Sequence, residues 1–254
     1  MNILFLGTSS GWPLPRLGCK CDICASQDQK DRRLRPSLLI NKSILIDASP
    51  DIYHQFEKYN IDPTEITHIL ITHAHHDHIS GLYDLSHIYN VRRKIELIAS
   101  QGTMNALRIK MGPSLFRFRN REIKPFEKNQ IGSNLYFWFV PVIHTIEAYA
   151  IKIKQSRPFV YAPEFRKILP SSKKYLGNID LAIIDGSSKT FRGQAKGHET
   201  IEEGLRLGKE LAAKKVLFTN IGHITDGHEA LVNFVKENGS HKFGIAFDGL
   251  EIKV

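Results

Sequence analysis

Cysteine is scarce in this chain. Three residues in 254, an odd number, cannot support a disulfide framework. Long apolar runs are absent as well. The longest near-continuous one, Tyr136 to Ile143, falls far short of the roughly 20 residues a membrane helix needs. The stretch Met1-Asn2-Ile3-Leu4-Phe5-Leu6-Gly7 has neither a basic region nor an extended apolar one, so it does not read as a signal peptide, and the expected compartment is the cytoplasm. No repeat, homopolymer tract or glycine-serine linker divides the sequence, and the expectation is one domain over residues 1–254. Hydrophobic residues at 42% and charged residues at 24% exclude a disordered or low-complexity chain. The 35 Lys and Arg against 26 Asp and Glu give a net charge of +9. That surplus suits a phosphate-bearing partner, and equally a surface that is merely well solvated.

Short runs rich in Ile, Val, Leu and Phe alternate with helical patterns. The strand-like runs cover residues 2–6, 37–41, 43–47, 69–72, 95–99, 135–140, 149–153, 159–162, 181–184, 216–219 and 244–247. The clearest helical pattern covers 201–214. Ile201, Gly204, Leu205, Gly208, Leu211 and Ala212 share one face there, and Thr200 with Glu203 forms a capping box. Weaker helices are expected over 51–59, 81–89, 103–110 and 227–237. Strands alternating with helices predict a layered α/β fold. Residues 110–128 look irregular and basic, with Arg117, Arg119, Arg121 and Lys124 interleaved with Phe116, Phe118 and Phe126. This segment is expected to be an insertion near a site entrance or a mobile loop.

Two clusters carry chemistry. Directly after Ile69-Leu70-Ile71 comes Thr72-His73-Ala74-His75-His76-Asp77-His78. Imidazole nitrogen and carboxylate oxygen are ligands for zinc, manganese or iron. His73 and His75, two apart at a strand end, point the same way, and Asp77 with His78 can reach a second metal beside the first. Four histidines and an aspartate in six residues are hard to explain as core packing. The second cluster is Cys19-x-Cys21-x-x-Cys24; thiolates this close together usually hold a metal.

The motif His73-x-His75-x-Asp77-His78, followed by Gly81-Leu82, resembles the defining motif of the metallo-β-lactamase superfamily. That resemblance implies an α/β fold of the αββα four-layer sandwich type, with metals at one edge between two sheets. Leu6-Gly7-Thr8-Ser9-Ser10-Gly11-Trp12-Pro13, the cysteine cluster, Arg33-x-Arg35-x-Ser37-Leu38-Leu39-Ile40 and Ile46-Asp47-x-x-Pro50-Asp51 are similar to the phosphoribosyl 1,2-cyclic phosphate phosphodiesterase branch. The cysteine motif also occurs in proteins of the pyrroloquinoline quinone B type.

The resemblance implies His144 as the third histidine of the first metal site. Glu164 stands where a bridging aspartate is usual, and Asn220 where a final histidine is usual. Both departures fall mostly on the second site, so a full first site beside a weakened second one is expected. The fourth ligand of a structural zinc held by Cys19, Cys21 and Cys24 is implied to be His223, three residues beyond Asn220. His228 is a rival, and an alternative register gives His223 to the active site. His198, before the capped helix, resembles the family's general acid, and Asp185 its acidic partner. Asp47, at a strand end near the ligands, is expected either to fix a histidine tautomer or to cap a turn.

These expectations describe a metal-dependent phosphodiesterase with one or two catalytic divalent metals (zinc or manganese, with iron as an alternative) and one structural zinc. The expected substrate is a small or cyclic phosphodiester, with no membrane partner and a homodimer left open. Three alternatives stand beside it. One is a nuclease acting on RNA or single-stranded DNA through the basic, aromatic segment. The second is an iron-dependent redox enzyme, and the third a non-catalytic metal-binding protein.

Overall fold

The computed structural model describes residues 1–88, 94–190 and 197–254. Six strands, β1 (Asn2–Gly7), β2 (Ser37–Ile40), β3 (Ile44–Ile46), β4 (His68–Leu70), β5 (Glu96–Ser100) and β6 (Arg119–Ile123), build most of the first sheet. Seven more, β7 (Asn129–Ile131), β8 (Leu135–Val142), β9 (Ala148–Lys154), β10 (Pro158–Ala162), β11 (Leu181–Asp185), β12 (Lys215–Thr219) and β13 (Phe243–Ile245), build the second. The last, β14 (Glu251–Lys253), returns to pair antiparallel with β1. The sheets run β14-β1-β2-β3-β4-β5-β6 and β13-β12-β11-β10-β9-β8-β7. Each has a parallel half, β3 to β6 and β10 to β13.

Strand alternation makes the layers. On β11, Leu181 and Ile183 point between the sheets, where they meet Leu38, Ile40, Leu70, Phe137 and Phe159. Ala182 and Ile184 point outward to Ile201, Leu205, Leu231 and Val235 on the helices α7 (Ile201–Glu210) and α8 (His228–Asn238). On the other sheet Leu39, Ile69 and Leu97 point outward. They are covered by α2 (Ile52–Lys58), α4 (Leu82–Ser86) and α5 (Gln101–Met111). The remaining helices are α1 (Asp22–Ala25), α3 (His76–Ile79) and α6 (Pro170–Leu176). Two sheets face to face with helices outside are the αββα sandwich expected from the resemblance. Among the described residues, no helix is long and apolar enough to cross a membrane.

Three expectations needed correction. The capping box holds, with Thr200 Oγ1 accepting from the Glu203 amide and the Glu203 side chain accepting from the Thr200 amide, but α7 stops at Glu210 rather than 214. Ala212 turns into the left-handed region at φ 50°, which a continuing helix excludes. The helix expected over 81–89 is the shorter α4, and Tyr89 lies outside the described residues. Of residues 110–128, only 124–128 are turn and coil, and 110–123 are regular structure rather than a loop. They finish α5, make a 3₁₀ turn over Gly112–Arg117 and form the edge strand β6, with Phe118 buried in the helix-side core. Arg119 and Arg121 reach Glu96 on β5. An edge strand burying one residue, Ile123, shows too little alternation to be read from sequence.

A buried arginine locks the two ends of this architecture together. Arg33 is 1% exposed. It donates to Thr8 Oγ1 at 2.8 Å and to the Ala246 carbonyl at 2.6 Å, and its second amino group is 3.1 Å from His228 Nδ1. Burial pulls its pKa down to about 10, with Asp248 and Asp31 opposing. Arg33→Ala should therefore strand buried hydrogen-bonding groups and lower unfolding free energy by about 1–3 kcal/mol for each left unpaired. Urea denaturation measures it, and a loss below about 1 kcal/mol would contradict the network. Met1 and Val254 also lie side by side, with the Met1 amino group 2.6 Å from the Val254 carbonyl.

Candidate metal centre

The ligand-type side chains sit on loops leaving the strand ends of both sheets. His73 and His75 follow β4, and Asp77 and His78 open α3. His144 follows β8 and Glu164 follows β10. His73 Nε2 lies 3.0 Å from His75 Nδ1, and His144 Nε2 lies 3.2 Å from the same atom. Glu164 Oε2 is 3.2 Å from His73 Nε2, 3.2 Å from His144 Nε2 and 3.7 Å from His75 Nδ1. A tetrahedral zinc with bonds of about 2.0–2.1 Å separates its ligand atoms by about 3.3 Å. The observed edges of 3.0 to 3.7 Å match that figure.

Glu164 turns its other oxygen to a second group. Oε1 is 3.2 Å from His78 Nε2, which is 3.5 Å from Asp77 Oδ2. His78 Nε2 is buried and has no hydrogen-bond partner, as a nitrogen reserved for a metal would be. The glutamate thus spans both groups, using its extra methylene where an aspartate was expected. Asn220, in the left-handed region at φ 57°, donates Nδ2 to Glu164 Oε1 at 2.9 Å. Its Oδ1, the atom an amide would offer a metal, is buried without a hydrogen-bond partner, as His78 Nε2 is.

Neighbouring groups hold the rings in the tautomers a metal needs. Asp47 Oδ2 lies 2.7 Å from His78 Nδ1, leaving Nε2 for the centre. The same carboxylate accepts from the Thr72 amide at 2.8 Å and from its hydroxyl, and Thr72 Oγ1 lies 2.9 Å from His73 Nδ1. Asp47 therefore orients a histidine directly and a second through Thr72. His144 Nδ1 donates to the Gly197 carbonyl at 2.7 Å. A Cβ on Gly197 would come within 3.0 Å of the His144 ring, so this approach requires glycine.

Charge is arranged to match. Burial, aided by the His78 charge, pulls His73 down to about 4 and keeps it neutral. Burial opposes a charge on His78, but Asp47, Asp77 and Glu164 outweigh it and hold its pKa well above the ordinary value. Burial also opposes ionisation of Glu164, yet the charged His78 and the surrounding imidazoles hold its pKa well below the ordinary value. Three carboxylates converging on one imidazole form a negative pocket that divalent cations would neutralise.

His198 and Asp185 pair beside this centre. Asp185, the last residue of β11, is fully buried and lies 2.7 Å from His198 Nδ1. Burial pulls the His198 pKa down, but Asp185 overrides it and raises it to about 9. The His198 and His144 rings meet edge to face, 5.4 Å between centroids.

The second cluster also assembles. Cys19 Sγ is 3.3 Å from Cys21 Sγ and 3.5 Å from His223 Nδ1, and Cys24 Sγ belongs to the same group. Tetrahedral zinc bound by sulfur and nitrogen expects edges of about 3.5–3.8 Å. Hydrogen bonds from Cys21 and His223 lower the Cys19 pKa to about 6, while burial pushes Cys24 up to about 11. His228, the rival ligand, is engaged by Arg33 instead, and His223 faces the cysteines rather than the histidine centre.

Both clusters border one pocket of about 330 Å³. His75, Asp77, Glu164 and His198 line it. So do Trp12, Arg16 and Ser187, which residue-by-residue reading did not select. Trp12 and Arg16 lie on either side of Pro13 and Pro15 before the cysteines, a position that hinted at a shaped loop; nothing local marks Ser187.

Paired sheets with imidazoles and carboxylates gathered at one end are the architecture of the metallo-β-lactamase fold. Residues 42–221 match the family described as Beta-lactamase superfamily domain, and the chain belongs to it. Within that family it is similar to a solved structure described as a new diphosphatase from the PhnP family, with a TM-score of 0.86 and 28% identity over 99% of this chain and 96% of the other. Zinc-bound PqqB from Methylobacterium extorquens gives a TM-score of 0.84 with full coverage of both chains, but at 19% identity the likeness is one of fold. An octanoyltransferase of Porphyromonas gingivalis is 26% identical over 99% of this chain, which spans 51% of that protein's length.

Proposed function

We propose that this protein is a metal-dependent phosphoesterase acting on a small phosphodiester. The observation that carries the reading is the position of His198. It is tied to a buried carboxylate, protonated at neutral pH, and opens into the pocket that the metal-type ligands line. His73, His75, His144 and Glu164 would hold one divalent cation, and Glu164, Asp77 and His78 a second. Zinc and manganese both suit this nitrogen and oxygen set. Bound there, such a metal supplies Lewis acidity and a nucleophile near neutral pH. His198 donates its Nε2 proton to the leaving oxygen, and Asp185 holds the ring at Nδ1 throughout. Asp47 and Gly197 keep two imidazoles aimed. The likeness to the diphosphatase supports phosphoester chemistry. The pocket volume favours a small ligand over nucleic acid, as does pairing of Arg119 and Arg121 with Glu96 and of Arg108 with Glu122.

The pH profile tests the acid. A group that must be protonated loses activity as pH rises through its pKa, so the basic limb of kcat should lie near 9. Asp185→Asn removes the largest contribution raising that pKa, so its limb should move to lower pH. His198→Ala should reduce kcat by about 10²–10⁴-fold while metal content is unchanged. A basic limb unmoved in Asp185→Asn would remove His198 from the reaction.

A further inference from the structure

The cysteine cluster ties together two loops that form one wall of the pocket. The first leaves β1 and supplies Gly11, Trp12 and Arg16; the second leaves β12 and supplies Gly222, His223 and Ile224. At their bases the loops meet without sulfur, through a bridge between Ser9 and Ile221 and through the Ile221 amide, which donates to the Thr8 carbonyl at 2.8 Å. Toward the tips the ties run through the cysteines. The Arg16 amide donates to Cys24 Sγ at 3.4 Å, Cys21 Sγ donates to the His223 carbonyl at 3.5 Å, and Cys19 Sγ lies 3.5 Å from His223 Nδ1. His223, held in this way, places its Nε2 2.9 Å from an Arg16 amino group. His73, His75, His144 and Glu164 ride on other loops, after β4, β8 and β10.

The three cysteines are unequal. Cys24 is buried, whereas Cys19 and Cys21 are half-buried. The Cys19 and Cys21 sulfurs lie 3.3 Å apart. A disulfide closes that gap to about 2.05 Å, so little more than an ångström separates them from a bond. The thiolate is both the nucleophile and the metal ligand. Joined to each other, these two sulfurs leave Cys24 and His223, half of a four-coordinate set. In reducing compartments such bonds are transient and serve sensing.

We propose that Cys19 and Cys21 are an oxidation site for hydrogen peroxide, and that their disulfide releases the zinc of the cluster and unlatches the Trp12–Arg16 wall of the pocket. The Cys19 thiolate attacks a peroxide oxygen, breaking the O–O bond and leaving a sulfenic acid; Cys21 then displaces that oxygen. The two thiolates give up two electrons, hydrogen peroxide takes them with two protons, and one disulfide, two waters and a free zinc ion result. The consequence for substrate binding rests on the phosphoesterase reading above; the chemistry at sulfur does not.

The metal-loaded protein, treated at 25 °C with a small excess of hydrogen peroxide, tests this. One zinc per chain should leave, and two of the three thiols should disappear. Trypsin cuts after Lys20, so a Cys19–Cys21 bond links two peptides that a Cys21–Cys24 bond would leave separate. Amide hydrogen exchange should speed up over residues 10–17 and 222–226 and stay unchanged over 73–78. KM should rise severalfold with kcat nearly unchanged, the pattern of lost uniform binding. Dithiothreitol and zinc should reverse all of these, which methionine oxidation would not allow. Retention of all three thiols and of the zinc overturns the proposal, as does a Cys21–Cys24 bond or unchanged exchange in both loops. If the reduced protein turns over no phosphodiester while linkage, zinc loss and exchange follow peroxide, the phosphoesterase reading fails and the oxidation site stands.

Discussion

His75→Ala should lose a catalytic metal and at least about 10³-fold in turnover while keeping its fold. Lewis-acid stabilisation is worth several kcal/mol, and each 1.36 kcal/mol is about tenfold in rate. His75 separates these effects well because its side chain is 34% exposed, so truncation leaves no core cavity. Its Nδ1 nevertheless sits among His73, His144 and Glu164. Elemental analysis, thermal melting and hydrolysis of bis(p-nitrophenyl) phosphate would be read together. A variant that keeps its metal and its turnover would sink the assignment of the first site.

Cys21→Ser is expected to have its largest effect on stability. Metal binding to such a site is folding free energy, because the unfolded chain does not assemble it. At free zinc a thousandfold above Kd the contribution is about 4 kcal/mol, or roughly 8–16 °C in Tm at this chain length. Cys21→Ser should lose one zinc and melt lower by that order, and His223→Ala should mimic it. The double variant should fall little further, since the second change acts on a site already broken. Full zinc and an unshifted Tm in Cys21→Ser would exclude a stabilising role. If His223→Ala stripped only the catalytic metal, His223 would belong to the other centre.

The histidine motif was legible because its ligands are close in sequence and follow a strongly apolar strand. The cysteine triplet was legible for the same reason. His144, Glu164, Asn220, Asp185 and His223 come together only when β8, β10, β11 and β12 align, so a family pattern, not local spacing, pointed to them. Even that pattern did not say what Asn220 does. Its amide lies 2.9 Å from Glu164 Oε1, a relation between two departures 56 residues apart. The outer elements were the least legible. β6 and β14 are edge strands with mostly exposed side chains, and β7 has three residues, of which Ile131 is buried. Such strands are fixed by pairing with a neighbour rather than by their own pattern. Arg16 and Ser187 were missed for another reason: only the folded chain brings them to one pocket.

The pairing of Met1 with Val254 has a topological consequence. β1 carries the chain from that rung toward the loop holding Trp12 and Arg16, so the two termini share one edge of the first sheet at the end remote from the pocket mouth. A short linker joining Val254 to Met1, with new ends opened in the turn at Asn41 and Lys42, would give a circular permutant with every ligand loop uncut, as tolerated where ends are close and at the surface. By the same geometry, a second domain joined at either terminus attaches behind the catalytic cleft and leaves its mouth open.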